Sequence, residues 1–222
     1  MLNNSTHLTY IYHYTINRLK NMTEKRLLIK ASRDPFILFK AWYEEAIEKE
    51  INDPNAMNLS TMSENFKVSS RIVLLKSYDK SGFVFYTNLK SKKGISIEKN
   101  ANVALNFHWK SCLRQIRIEG KAKAIPTFQA DKYFDTRPRD SKIGAWASDQ
   151  SSELINRKKL MKNFDKFEIK FKEKLIPRPN HWSGFKIIPE LIEFWQQMPS
   201  RLHDRLEFKK INKKWKSRKL FP

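Results

Sequence analysis

Glycine and cysteine are scarce in this chain, with five glycines and one cysteine, Cys112, among 222 residues. A single cysteine excludes an internal disulfide and a cysteine zinc cluster, and it fits a reducing compartment. So few glycines argue against a Rossmann or P-loop fold. No G-x-G-x-x-G, Walker lysine loop, H-E-x-x-H, C-x-x-C or G-x-S-x-G occurs. No apolar run approaches the roughly 18 residues of a membrane helix, and the N-terminus lacks a basic-apolar-small leader pattern. The expectation is a cytoplasmic protein with no membrane and no metal site. Its own side chains offer little redox or group chemistry, so such chemistry needs a borrowed cofactor.

Acidic residues are outnumbered, 23 against 44 lysines and arginines, giving a net charge of +21. That invites a nucleic-acid reading. Lysine dominates, however, whereas bidentate recognition of phosphate and guanine favours arginine. The lysines also run from Lys20 to Lys219 without forming one arm. The charge is read as largely background, with no specific nucleic-acid partner. A basic, β-rich nucleic-acid-binding barrel stays as the alternative class.

What is present reads as a mainly β chain with flanking helices. Residues 1–33, with an aromatic Leu8–Tyr14 and no firm periodicity, read as a flexible extension ahead of a single domain over 34–222. Asp34-Pro35 opens a helix with apolar residues at Phe36, Phe39, Trp42, Tyr43, Ala46 and Ile47. Ala56–Met62 reads as a strand. Arg71–Lys76 and Phe83–Asn88, around a link ending in Gly82, read as an antiparallel hairpin. Arg71 and Lys76 bracket its first strand roughly 16 Å apart, the length of a phosphate-tailed ring cofactor. Ser91 then starts a helix with Lys92 and Lys93 in its first turn. That placement opposes the helix dipole unless an anion binds, so it suits a phosphate cradle, while spacing alone favours a solvated lysine pair in a lysine-rich chain.

Val103–Trp109 and Arg114–Ala124 read as strands, the second placing Gln115 and Arg117 on one face. Pro126-Thr127 starts a helix carrying Tyr133; Tyr133, Arg137 and Ser141 follow at four-residue steps, with Pro138 expected to end regular helix between them. A second phosphate site and a surface arginine beside a chain break both fit. Ile143–Ser152 reads as a ligand-touching loop and Glu153–Lys174 as an amphipathic helix. A final meander runs Gly184–Ile188, a Pro189-Glu190 turn, Leu191–Gln196, Arg205–Lys210 and Trp215–Leu220. The loop before its third strand carries Arg201, His203 and Arg205, more charge than a turn requires. His203 titrates near neutrality.

The stretches PNAMNLST (54–61), SSRIVLLK (69–76), GFVFYTN (82–88), SKKG (91–94), RQIRIEGKA (114–122), YFDTRPRDSKIGAWASDQSS (133–152), IEFWQ (192–196) and PSRLHDR (199–205) resemble the pyridoxamine (pyridoxine) 5′-phosphate oxidases. The resemblance implies an FMN-binding split β-barrel, homodimeric, that oxidises pyridoxamine or pyridoxine 5′-phosphate to pyridoxal 5′-phosphate. Oxygen is reduced to hydrogen peroxide by way of hydride transfer from C4′ to flavin N5. It implies FMN contacts at Arg71, Ile72, Val73, Leu74, Leu75, Lys76, Tyr86, Thr87, Lys92, Lys93 and Gln115. Gln150, Ser151, Trp195 and Arg205 join them, some from the second subunit. Lys76, Tyr133, Arg137 and Ser141 resemble the substrate-phosphate set, and Arg201, Leu202 and His203 the segment over the pyridine ring, where Arg201 and His203 are the catalytic pair. Lys92 stands where the family often has arginine. The family's N-terminal basic-then-tyrosine segment has only a displaced echo at Tyr14-Thr15 and Leu19. A split-barrel flavin protein with another substrate is the third reading.

Overall fold

Asp34 starts the first helix as its sequence requires: the carboxylate accepts from the Phe36 N–H at 2.9 Å and Pro35 occupies the first turn, where no N–H is needed. The computed structural model describes residues 28–222. The Leu8–Tyr14 stretch and the Tyr14–Leu19 echo lie outside the described residues. Five helices are α1 (Pro35–Lys49), α2 (Lys92–Lys99), α3 (Thr127–Asp135), α4 (Arg139–Ala147) and α5 (Arg157–Lys170). Nine strands are β1 (Ala56–Met62), β2 (Val68–Leu74), β3 (Ser77–Asp79), β4 (Gly82–Asn88), β5 (Asn102–Trp109), β6 (Arg114–Ala124), β7 (Trp182–Gln196), β8 (Asp204–Ile211) and β9 (Lys214–Leu220). They hydrogen-bond in the order β2-β1-β5-β6-β7-β4-β3, with β8 on β7 and β9 on β8.

Three expectations change. The hairpin of 71–76 with 83–88 does not form: β2 pairs with β1, and β4 pairs with the short β3 and with β7. The chain changes partner at Leu75 and Lys76, where the Leu75 N–H donates to Asn55 and the Lys76 N–H to Val84. Asp79 then makes the tight turn, its Oδ1 accepting from the Ser81 and Gly82 N–H groups. Residues 143–147 are the end of α4, not a loop, because Pro138 begins a new helix as well as ending the old one. The Pro189-Glu190 turn is absent. β7 is continuous, and its ladder to β4 covers 182–187 while its ladder to β8 begins at Leu191. Pro189 therefore falls where neither ladder asks for an N–H.

The residues form two compact units. One holds the described residues up to Pro54, Phe107–Arg117 and Leu191–Pro222. Its core is aromatic: Phe39 meets Phe107 edge-on at 5.5 Å, and Trp42 meets Phe194 at 5.2 Å and 88°. Cys112 is buried there beside the Glu50 carboxylate, which accepts the Ser111 and Cys112 N–H groups, so it fills space. Ile29 is buried, with its N–H given to Asp204 and its carbonyl bonded by Lys219.

The other unit is Asn55–Asn106 with Ile118–Glu190. β1 alternates with Met57, Leu59 and Thr61 buried, and β4 is almost wholly buried, as a strand covered on both faces must be. Phe134, Ile143, Phe171, Ile176 and Trp182 form a second apolar cluster that seats α3, α4 and α5. No helix among the described residues is long and apolar enough to cross a membrane.

Candidate active site

A cavity of about 700 Å³ lies within the second unit. Ile72, Val73, Leu74 and Lys76 reach it from β2 and its end, Tyr86, Thr87 and Asn88 from β4, and Lys93 from α2. Tyr133, Arg137 and Ser141 line it from α3, α4 and the link between them, so the four-residue steps meet although Pro138 interrupts the helix. Gln150 completes the polar lining. Arg71, Leu75, Lys92 and Ser151 belong to the same unit but are not among the lining residues.

Lys93 is one cation of the lining. The Ser91 hydroxyl caps α2, accepting from the Gly94 N–H. The Lys93 ammonium donates to Thr87 Oγ1 (3.2 Å), Ser91 Oγ (3.2 Å) and Gln150 Oε1 (3.1 Å). All three acceptors are neutral. Burial, and then the charge of Arg71, lowers the Lys93 pKa. Arg71 is bonded to the Leu59 carbonyl, Thr61 Oγ1 and Ser69 Oγ, again all neutral, and burial lowers its pKa too. Two cations that repel each other, with neutral partners at a helix N-terminus, make a site that a dianion stabilises.

Arg137 is a second cation of the lining. Its Nη1 is buried without a hydrogen-bond partner, and its guanidinium stands 4.7 Å from the Trp182 ring centroid and 5.5 Å from that of Phe134. Burial lowers its pKa, partly offset by Tyr133. A buried charged donor left unmade costs about 1–3 kcal/mol or more, which an anionic ligand recovers. The cavity thus carries two cations, Lys93 and Arg137, that are each suited to an anion. Tyr86 and Tyr133, both in the lining, stack on each other at 3.9 Å.

The remaining expected residues belong to the first unit. Buried Glu193 holds Arg205 Nε at 2.7 Å and Arg117 Nη1 at 3.0 Å, and Arg205 also donates to the Phe221 carbonyl. The hydrogen bond to Glu193 raises the Arg205 pKa. Gln115 is half-buried beside Arg117 on β6. Trp195 packs on the His203 ring at 4.5 Å. Arg201 and Leu202 are exposed, and Arg201 has φ +61°, as Ser151 has +72°. Left-handed backbone at non-glycine residues is costly and gathers where geometry is imposed for a purpose.

The Met198 N–H donates to His203 Nδ1 at 3.2 Å, so the neutral ring carries its proton on Nε2. Burial and the neighbouring Arg201 lower the His203 pKa below its usual 6.5. An Arg201→Met variant should therefore titrate His203 at higher pH, with the imidazole still neutral at pH 8. Nitrogen chemical shifts followed against pH check this; an unmoved titration disproves the coupling.

Sequence reasoning did not single out Asn88, Ser148 or Trp182 as lining residues. Asn88 was accessible to it, since strand alternation puts it on the Tyr86 side of GFVFYTN. Trp182 had no local signal, because it reaches the cavity only through pairing with Asn88.

Comparison with known proteins agrees with this architecture. The family model described as Pyridoxamine 5′-phosphate oxidase matches residues 43–173. One described as Pyridoxine 5′-phosphate oxidase C-terminal dimerisation region matches 182–222. The pyridoxine/pyridoxamine 5′-phosphate oxidase of Granulibacter bethesdensis is 53% identical over 194 residues, 85% of this chain and 91% of that one. The structure of PhzG from Burkholderia lata, in complex with tetrahydrophenazine-1-carboxylic acid, aligns with a TM-score of 0.82 at 28% identity. It covers 87% of this chain and 95% of its own. A pyridoxamine 5′-phosphate oxidase-related, FMN binding protein from Nostoc punctiforme shares the fold at TM-score 0.66 and 12% identity, over 83% of this chain and 97% of that one.

Proposed function

Because the chain belongs to the pyridoxamine 5′-phosphate oxidase family, we propose that it is an FMN-dependent oxidase making pyridoxal 5′-phosphate from pyridoxamine or pyridoxine 5′-phosphate. The balanced amine reaction consumes oxygen and water and releases ammonia and hydrogen peroxide. FMN, when bound, supplies the acceptor for the hydride leaving C4′ and the route of its electrons to oxygen. The observation that carries this reading is one cavity lined by two cations whose charge is not met by an acid, Lys93, with Arg71 near it, and Arg137, in a lining that also holds Tyr133 and Ser141.

Lys93, Arg71 and Thr87 hold the cofactor phosphate. Arg137, Lys76, Tyr133 and Ser141 hold the substrate phosphate. Both grips act on atoms that do not react, so they bind substrate and transition state alike and hold the two molecules in the site. Arg201 and His203 tune the pyridine, with the neutral imidazole offering its Nε2 proton. No protein base is assigned to the C4′ hydrogen, since hydride loss needs none.

The active form is a homodimer in this proposal, with Trp195, Arg201, Leu202, His203 and Arg205 serving the cavity of a second copy. The match of 182–222 to a dimerisation region supports it. So does the β2–β1–β5 face bearing Val68, Ser70, Ile72, Asn58, Ser60 and Asn106, which has no charge in a chain of +21. Asn58 and Asn106 face each other there with buried, unpartnered Oδ1 atoms.

The purified protein should be yellow with bound FMN and should form pyridoxal 5′-phosphate and peroxide from pyridoxamine 5′-phosphate. A colourless protein that takes up no FMN overturns the flavin reading. A flavin-loaded protein inert toward both phosphorylated substrates overturns the substrate assignment. Arg201→Met should lower turnover at least tenfold with FMN retained, the scale of one lost charged contact. Wild-type turnover in that variant removes Arg201 from the site.

A further inference from the structure

The aromatic wall of the cavity contains one side chain that meets residues assigned to both ligands. Trp182 opens β7 and is buried. Its ring lies 5.4 Å and 8° from Tyr86 and 6.2 Å and 5° from Tyr133, and the Arg137 guanidinium stands 4.7 Å from its centroid. Phe134 closes on it edge-on at 5.1 Å.

We propose that Trp182 is a positioning residue for substrate recognition: its flat face sets the Arg137 guanidinium and the Tyr133 ring in the attitude that grips the substrate phosphate. The inference rests on the substrate-phosphate role given above to Arg137 and Tyr133. Arg137 needs such help, because its Nη1 makes no hydrogen bond. A guanidinium over an indole gains electrostatic and stacking contact that depends on orientation, so the ring acts as a stop.

Trp182 is itself fixed to the helix it serves. Its carbonyl accepts from Arg178 Nη1 at 2.6 Å, and Arg178 Nε is paired with Asp131 at 2.6 Å. Asp131 lies on α3 two residues before Tyr133, so Arg178 couples the start of β7 to the helix bearing Tyr133. The Trp182 N–H is held by the Pro179 carbonyl. Through Tyr86 the same ring reaches the flavin half, so the two grips share one aromatic reference surface.

A tryptophan that only fills space is tested against a positioning one by phosphate discrimination. Wild type, Trp182→Phe and Trp182→Leu, each loaded with FMN, are assayed with pyridoxamine 5′-phosphate and with pyridoxamine. Dissociation constants for pyridoxal 5′-phosphate and pyridoxal are measured alongside. In Trp182→Leu the preference for the phosphorylated form should fall at least tenfold, through KM and not kcat. In Trp182→Phe, which keeps a flat face, it should stay within about twofold of wild type. A loss shared equally by phosphorylated and unphosphorylated forms, or a phenylalanine variant no better than the leucine one, overturns the inference. If the leucine variant does not fold, Trp182→Met replaces it under the same criterion. Wild type without turnover sinks the oxidase reading alone, and the dissociation constants then decide the positioning role.

Discussion

Arg137→Ala should lower kcat/KM for pyridoxamine 5′-phosphate by roughly 100-fold, the equivalent of about 3 kcal/mol for a charged hydrogen-bonding partner. Most of the loss should appear in KM. The guanidinium holds a group that is unchanged between substrate and transition state, and uniform binding of that kind sets KM and not kcat. FMN should be retained. The melting temperature should stay level or rise, because the substitution removes a desolvated cation whose Nη1 has no partner. Activity and stability thus move independently, which a merely structural arginine would not allow. Arg137→Lys should recover part of the loss, keeping the charge without the fork. A fall in kcat with KM unchanged would place Arg137 elsewhere in the chemistry.

Gly94→Ala should destabilise the protein by about 1–3 kcal/mol and weaken FMN retention at least tenfold. A Cβ at Gly94 would lie 2.1 Å from the Leu89 carbonyl oxygen and 2.6 Å from its carbon. Leu89 cannot retreat, since its N–H is bonded to the His181 carbonyl at 2.7 Å. The start of α2 must move instead, and it takes with it the Ser91 cap and the Lys93 contacts to Thr87 and Gln150. Gly144→Ala is the control, because a Cβ there meets nothing within 4 Å. In the interior of α4 that change should be neutral or stabilising by up to about 1 kcal/mol. Thermal melts compare the two variants, and flavin release on dilution is measured for Gly94→Ala against wild type, since Gly144 lines the cavity. Equal behaviour of the two would mean that the contact at Leu89 is not what fixes the cradle.

The sequence was most legible where one local rule decides the outcome. Asp34-Pro35 declares a helix start, β1 and β6 declare themselves by alternation, and Ser91 caps α2 in the expected place. It was least legible where a partner decides. Nothing local says that β2 pairs backward with β1, since its apolar run suits either neighbour. Pro189 read as a turn because the change of partner along β7, from β4 to β8, is a long-range fact. Pro138 signals an end and a beginning alike, and packing of Ile143 and Ala147 selects the new helix.

The site divides in the same way. Lys76, Tyr133, Arg137 and Ser141 were visible as residue types and as a resemblance, and they do converge on one cavity. That Arg137 would be desolvated over an indole depends on Trp182, roughly 45 positions away, and the Gln150 oxygen on Lys93 comes from 57 positions away, so neither has a trace in its motif.

The pairing of β4 with β7 joins Phe83 to Ile187, roughly a hundred residues apart, whereas β8 and β9 meet across a two-residue turn. Local hairpins zip in microseconds, but a contact this distant waits for synthesis to finish and for a long loop to close. During translation β4 emerges early and stands without its β7 partner until Ile187 clears the ribosome. The cavity, lined by Tyr86 and Thr87 from β4 and by Trp182 from β7, is thereby completed only late in synthesis.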